Sequence, residues 1–305
     1  MEEVRGSSPL GPTNQNTMKK ITKAIIPAAG FGTRFLPQTK AMPKEMLPII
    51  DKPIIQYVVE EAVSAGITDI IIVTGIHKRS IEDHFDHNQE LESRLIQSGK
   101  NEIAEQLSKI AEMANFIYVR QKGSYGNATP IINASHLVAD EAFLVLWADD
   151  FFVSKVPRSV QLMEEYEKYG RPVISLVETS KKDIGKYGSV KIKKQLSDDL
   201  YEIDGLVEKP KPGQEPSLLA SVGGYILTPE ILPLLANQTP DHTGEVSLAQ
   251  ALNVMAEKDH ILGKVIEGRW HDTGNKEKYL EAIVDVVLED PELSKSFREY
   301  LKNKL

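Results

Sequence analysis

Small residues, glycines and cations crowd residues 23–48, KAIIPAAGFGTRFLPQTKAMPKEMLP. Ala28, Ala29, Gly30, Gly32 and Thr33 form a loop with little side-chain bulk, and its glycines reach backbone shapes that a Cβ forbids. Such a loop can wrap its amide N–H groups around phosphate oxygens. Arg34, Lys40 and Lys44 follow within eleven residues, on a segment stiffened by Pro37 and Pro43. Fixed cations beside a phosphate cradle point to polyphosphate chemistry. Acids stand ready further on. Asp149 and Asp150 follow the apolar run AFLVLW, where burial is costly unless they face a cation or solvent. Asp272 lies in a second polar loop, GRWHDTG.

Two glycine-loop fingerprints fail. A dinucleotide-binding Gly-x-Gly-x-x-Gly needs a third glycine where Phe35 stands. A P-loop needs Gly-x-x-x-x-Gly-Lys-Ser/Thr, and the chain has none.

The elements that must position these residues follow from hydrophobic periodicity. An apolar run over 24–26, bounded by Pro27, reads as a buried parallel strand. A helix is expected from Asp51, with Pro53 in its first turn, to Gly66, and a second buried strand over 69–74. This β-loop-α-β start, with a right-handed crossover, places the glycine loop at the carboxyl edge of a parallel sheet. Residues 78–114 read as charged helix broken near 87–88 and 98–99. Strands are expected over 116–119, 142–147, 172–177, 187–193, 200–207, 221–227 and 261–266. Further helices are expected up to about 137, capped by Asn127 or Thr129, and over 156–169, 229–236, 245–256 and 275–305, the last broken at 290–291. Residues 268–274 read as a loop.

The totals bound the answer. At 305 residues and 41% hydrophobic the chain can bury a large core, and it holds no 18-residue apolar run of the kind that spans a membrane. Zero cysteines exclude disulfides and thiolate chemistry and fit a reducing cytoplasm. A formal net charge of −8 argues against nucleic acid as the main partner. Residues 1–17 are polar, with no basic-then-apolar signal pattern, and read as a disordered expression leader before a natural start at Met18.

The string G-x-G-T-R-x-x-P-x-T-K-x-x-P-K-E-x-L-P resembles the substrate loop of the sugar-1-phosphate nucleotidyltransferases, agreeing at more than ten positions over nineteen residues. The resemblance runs over about 20–288. It implies an α/β, Rossmann-like three-layer fold: a mostly parallel central sheet flanked by helices, with a smaller β-rich sugar side. One domain is expected over 18–305, its nucleotide side near 18–150, its sugar side near 151–274 and its C-terminal helices over 275–305.

The likeness is strongest to the uridylyl-transferring branch. That implies transfer of a uridylyl group from UTP to α-D-glucose 1-phosphate with release of pyrophosphate. Carried over residue by residue, the glycine loop and Glu45 meet the nucleotide, and Arg34 and Lys44 clamp its triphosphate. Gln121, Gly126 and Asn127 serve base and ribose. Gly188 after Tyr187, Glu208 and Gly223 line the sugar pocket, and Lys209 meets the sugar phosphate. Arg34, Lys44 and Lys209 are thus the expected catalytic side chains. Asp149 and Asp272 would hold Mg²⁺, with Asp150 as the alternative to Asp149; His271 reads as packing or a hydrogen-bond partner rather than a zinc ligand. A cytoplasmic homodimer or homotetramer, with no nucleic-acid or membrane partner, is the expectation. Residues 124–130, SYGNATP, depart from the branch's Gly-Leu-Gly-His-Ala pattern, and 244–248 follow its acidic segment only loosely. These departures bear on base and sugar choice, so dTTP or another sugar phosphate is the alternative substrate. A non-catalytic nucleotide-sugar sensor is disfavoured, because the phosphate cations and the acids are all present.

Overall fold

The computed structural model describes residues 19–240, 244–259 and 261–304. The expected leader and Met18 lie outside the described residues. The chain opens with β1 (Lys23–Ala28), which continues through Pro27 rather than stopping there, and a small hairpin of β2 (Pro48–Ile49) and β3 (Lys52–Pro53) leads into α1 (Ile54–Ser64). Asp51 and Lys52 therefore belong to the hairpin and not to the first helical turn. Pro48 pairs with Pro53 and Ile49 with Lys52, and Ile50 at φ 62° makes the reversal. Next come β4 (Asp69–Thr74), α2 (Arg79–His84), α3 (Gln89–Gln97), α4 (Asn101–Glu112), β5 (Asn115–Arg120), α5 (Thr129–Val138) and β6 (Phe143–Leu146). The second half holds β7 (Asp150–Val153), α6 (Arg158–Tyr169), β8 (Val173–Glu178), β9 (Gly188–Gln195), β10 (Leu200–Glu208) and β11 (Leu219–Leu227). It ends with α7 (Ile231–Ala236), α8 (Leu248–Asp259), β12 (Ile261–Val265), β13 (Arg269–Asp272), α9 (Lys276–Glu289) and α10 (Ser294–Lys302).

Nine strands form one sheet in the order β5-β4-β1-β6-β11-β8-β12-β10-β9. It is parallel from β5 to β6 and again between β8 and β12; antiparallel pairings join the two halves and build the outer edge. The central strands are largely apolar runs buried on both faces, so successive side chains serve opposite layers. Ile26, Ile72 and Leu146 face one core with α1 and α6, whereas Ile25, Ile71 and Val145 face the other with α5, α7 and α8. This is the expected three-layer α/β arrangement. No helix among the described residues is long and apolar enough to cross a membrane.

Two local expectations change in the fold. The stretch expected as a loop at 268–274 contains β13, because Trp270 and His271 pair with Phe152 and Phe151 of β7. Neither Asn127 nor Thr129 caps α5, which starts after Ala128 without a side-chain cap. Asn127 instead accepts from the Leu248 N–H at 2.8 Å, at the start of α8, which begins three residues later than expected.

Candidate active site

The glycine loop leaves β1 at the carboxyl edge of the parallel strands. Gly32 sits at φ 64°, and a Cβ there would lie 3.2 Å from both Lys44 Cβ and Thr39 Cγ2. Thr39 Oγ1 donates to the Gly32 carbonyl at 2.7 Å and fixes the return of the chain. Lys44 runs past Gly30, whose missing Cβ would be 3.7 Å from Lys44 Cε. The small residues thus make room for Lys44 as well as for a ligand.

Two carboxylates approach the loop's cations from distant parts of the chain. Asp149 follows β6, while Asp272 ends β13, opposite Asp150 in the β7 ladder. Thr273 donates its N–H at 3.1 Å and its Oγ1 at 2.7 Å to the Asp149 carbonyl, locking the two turns together. The side chains converge on the open side of Gly274. A Cβ placed there would be 2.9 Å from Asp149 Oδ2, 3.1 Å from Asp272 Oδ1 and 3.5 Å from Arg34 Nη1. Lys44 Nζ pairs with Asp149 Oδ2, and Arg34 Nη1 donates to the Gly274 carbonyl at 3.3 Å. Burial, and then the neighbouring Asp149 charge, push the Asp272 carboxyl above its ordinary value. Burial opposes the Lys44 charge, yet Asp149 and Glu45 outweigh it and hold Lys44 protonated.

Asp150 turns the other way. It is 6% exposed, takes Arg158 Nη1 at 2.6 Å and accepts from the Gly223 N–H at 3.0 Å. Burial pushes its carboxyl up to about 6 against the pull of Arg158. His271 is buried against Phe151, with ring centroids 5.1 Å apart, which is the packing role expected of it.

Beside the loop lies a cleft of about 380 Å³ with Ala29, Gly30, Lys40, Lys78, Gln121 and Tyr125 among its walls. Gly126, next to the lining residue Tyr125, sits at φ 130°, pressed so close to the Val246 backbone that only glycine fits. Glu45 is not on the surface of this cleft. It is 1% exposed and bound to Lys78 Nζ at 2.6 Å, so it supports the wall from beneath. Burial raises the Glu45 carboxyl and lowers the Lys78 amine. Ala28 is buried and Thr33 exposed.

The expected sugar residues gather on the β9–β10 side. Glu208 lies opposite Gly188 in the ladder, and a Cβ on Gly188 would come within 3.2 Å of Glu208 Oε2. Lys209 follows at φ 44°, exposed, its N–H held by the Tyr187 carbonyl at 3.0 Å. Tyr187 OH donates to Asp272 Oδ2 at 3.3 Å, linking this side to the carboxylates. Burial, then the Asp272 charge, push the Tyr187 hydroxyl up, so it stays a donor. Gly223 is buried, where its missing Cβ leaves room for Trp147 and Asp150 Oδ2.

The sequence model of the nucleotidyl transferase family matches residues 23–288. The chain belongs to that family. A UTP–glucose-1-phosphate uridylyltransferase of Staphylococcus epidermidis is 46% identical over 285 residues, covering 93% of this chain and 99% of the relative. The Bacillus subtilis UTP–glucose-1-phosphate uridylyltransferase YngB is 43% identical, covering 93% and 96%. Among solved structures, a UDP-glucose pyrophosphorylase complexed with UDP-glucose overlays at a TM-score of 0.80 with 39% identity, covering 88% of this chain and 100% of that one. The UTP-bound enzyme of Acinetobacter baumannii overlays at 0.85 with 34% identity, covering 92% and 98%.

In this nucleotidyl transferase the carboxylate pair fits a divalent metal. Both donors are oxygens facing one space that Gly274 keeps open. Among the described residues no cluster of three or more His, Cys, Asp or Glu forms a complete protein cage. Two carboxylates, with phosphate oxygens and waters supplying the rest, are the donor set that Mg²⁺ takes. Sequence reasoning passed over Lys78, Thr273, Arg158 and Gly274. Thr273 and Gly274 were within reach, since they complete the D-T-G that follows His271. Lys78 carries no local signal, because its partner Glu45 lies 33 residues away, and Arg158 joins Asp150, 8 residues back, to Glu61, 97 residues back, a bridge that no local pattern announces.

Proposed function

We propose that this chain transfers a uridylyl group from UTP to α-D-glucose 1-phosphate, giving UDP-glucose and pyrophosphate. A sugar-phosphate oxygen bonds to the α-phosphorus as the bond to the bridging oxygen of the β-phosphate breaks. What carries the reading is the convergence of Asp149, Asp272, Arg34 and Lys44 around Gly274, directly beside the glycine loop. Asp149 and Asp272 would hold Mg²⁺, which when bound offsets the charge developing on the phosphates and helps align them.

The chain's own groups do the rest. Arg34 and Lys44 neutralise the triphosphate, and Lys44 exchanges part of its contact with Asp149 for phosphate oxygens. Gly30 and Gly32 keep side chains out of the path of the α-phosphate. Lys209, exposed beside Glu208, draws the sugar phosphate into line, while Glu208 accepts from sugar hydroxyls. Little covalent chemistry is asked of side chains; placement and charge dominate. Ala29, Gln121 and the backbone near Gly126 face the base and ribose.

Both substrates belong to the cytoplasm, and the cysteine-free sequence fits that compartment. The homodimer or homotetramer expected from the resemblance is part of the same proposal, and light scattering reports it. A pyrophosphate-release assay with Mg²⁺ crosses UTP, dTTP, ATP, CTP and GTP against glucose-, galactose- and N-acetylglucosamine-1-phosphate. Release confined to UTP and glucose 1-phosphate is the expected outcome. Release with another pair would move the specificity to residues 124–130, and none with any pair would overturn the assignment.

A further inference from the structure

Joined to the carboxylate pair through Asp150, which lies opposite Asp272 in the β7–β13 ladder, is a cluster of charges that the proposed reaction does not use. Arg158, the first residue of α6, is 0% exposed. Its Nη1 reaches Asp150 Oδ1 at 2.6 Å and the Gly223 carbonyl at 2.5 Å, and its Nη2 reaches the Asp150 carbonyl at 3.2 Å. On its other side Nε and Nη2 take the two oxygens of Glu61 in α1 at 2.9 and 3.0 Å. Glu61 Oε1 also accepts from the Ser159 N–H at 3.0 Å and from Ser159 Oγ at 2.7 Å. A Cβ on Gly224 would come 2.7 Å from Arg158 Cδ, so β11 leaves room for this side chain.

One guanidinium therefore serves two carboxylates whose side chains are 8% and 9% exposed. Such a cluster has one negative charge in excess, only partly offset by the N-terminal dipole of α6 and by three further donors, the Ser159 N–H and Oγ and the Gly223 N–H. Taking charges out of water costs more than a pair usually returns, and apolar replacements are often neutral or stabilising. Stability alone is a poor reason for this arrangement. Its placement supplies a better one. Asp150 follows Asp149 directly and lies opposite Asp272 in the β7–β13 ladder, and Arg158 grips both its carboxylate and its carbonyl.

We infer that Arg158, Glu61 and Asp150 form a positioning clamp that holds the Asp149–Asp272 carboxylates at the spacing a divalent cation requires. The inference rests on the metal reading of the proposed function. The clamp acts through backbone: Asp150 fixes the turn that carries Asp149, the ladder carries that constraint to Asp272, and Arg158 ties both to α1 and β11. Groups of this kind behind metal-bound carboxylates change metal affinity or activity by roughly tenfold to a hundredfold when altered.

The test uses Asp150→Asn and Glu61→Gln, near-isosteric changes that each remove one of the two negative charges. Mn²⁺ is titrated into the whole protein with UDP-glucose present, and bound metal is read by electron paramagnetic resonance against a protein-free control. Melting midpoints and pyrophosphate-release kinetics accompany it. Mn²⁺ affinity and kcat are expected to fall roughly tenfold to a hundredfold. KM for both substrates should stay within about twofold, and the melting midpoint should fall as well, because each amide turns an N–H towards a donor that the carboxylate accepted from. Wild-type Mn²⁺ affinity and kcat in both variants would overturn the clamp, as would a lower melting midpoint with unchanged metal affinity. Should Asp150→Asn fail to fold, Glu61→Gln decides the matter alone. A wild-type protein that releases pyrophosphate yet holds no Mn²⁺ would overturn the metal reading and the clamp together, which separates the two failures.

Discussion

Lys44 and Asp149, 105 residues apart, form an ion pair in which the glycine-loop cation sits against the carboxylate expected to bind metal. Both side chains are about four-fifths buried, so the pair is poorly screened by solvent. The arrangement brings the proposed triphosphate clamp and the proposed metal carboxylate to one point.

Asp149→Asn keeps the shape and removes the charge. We expect kcat for pyrophosphate release to fall by roughly a hundredfold to a thousandfold, in the range seen when a preorganised charge partner is lost. Circular dichroism should remain that of the wild type. Near-normal turnover would mean that Asp149 is not the metal ligand.

Gly274→Ala tests the cradle directly. The added methyl would stand 2.9 Å and 3.1 Å from the two carboxylates, in the space a metal would use. Mg²⁺ activation should shift to much higher concentrations, with kcat down by roughly tenfold or more. An unchanged Mg²⁺ dependence would place the metal elsewhere.

Lys209→Met separates the two substrates. Lys209 is exposed on the sugar side and far along the chain from the glycine loop, so its loss should raise KM for glucose 1-phosphate by roughly tenfold, about 1.4 kcal/mol of binding. KM for UTP should hardly move. Steady-state kinetics with each substrate varied in turn would show an equal rise in both if the assignment were mistaken.

Gly126→Ala puts a Cβ into the Val246 backbone at φ 130°, combining a collision with a strained backbone. A loss of roughly 2–4 kcal/mol in unfolding free energy is expected, read from urea denaturation. Stability within about 0.5 kcal/mol of the wild type would mean that the loop moves freely away from Val246.

His271 gives a pH signature. Burial holds its imidazole below the ordinary value, so near and below about pH 6.5 the unfolded chain binds a proton that the folded chain resists. Stability should therefore drop as pH falls from 7 towards 5. In His271→Phe, which retains the ring contact with Phe151, that drop should be smaller. Urea midpoints at pH 7 and 5 that change equally in both proteins would contradict this.

The local pattern alone was enough for the glycine loop, the parallel strands, the two breaks in the charged helical region and the one in the C-terminal helices. Residues 69–74 were read as a strand to the residue, and the breaks near 87–88, 98–99 and 290–291 fall between observed helices. Buried β-branched runs and glycine or proline punctuation are properties of neighbours in sequence, so sequence determined them. The start at Asp51 differs because a short hairpin with Pro48 and Ile49 takes up Lys52 and Pro53, whereas the cap at Asn127 and the loop at 268–274 differ because distant partners, Leu248 and β7, settle them.

At the site, residue types and motif order named Arg34, Lys44, Asp149 and Asp272 as candidates. They left Asp149 and Asp150 undivided, because adjacent aspartates look alike in a string. Tertiary structure turned one towards Lys44 and Gly274 and the other towards Arg158 and Gly223. It also placed Glu45 beneath the cleft wall rather than on it, since Lys78 is its partner. The physical reason is common to all three. A side chain's type is set by its codon, but its direction, burial and charge partner are set by the chain segments that fold against it, and those arrive from tens of residues away.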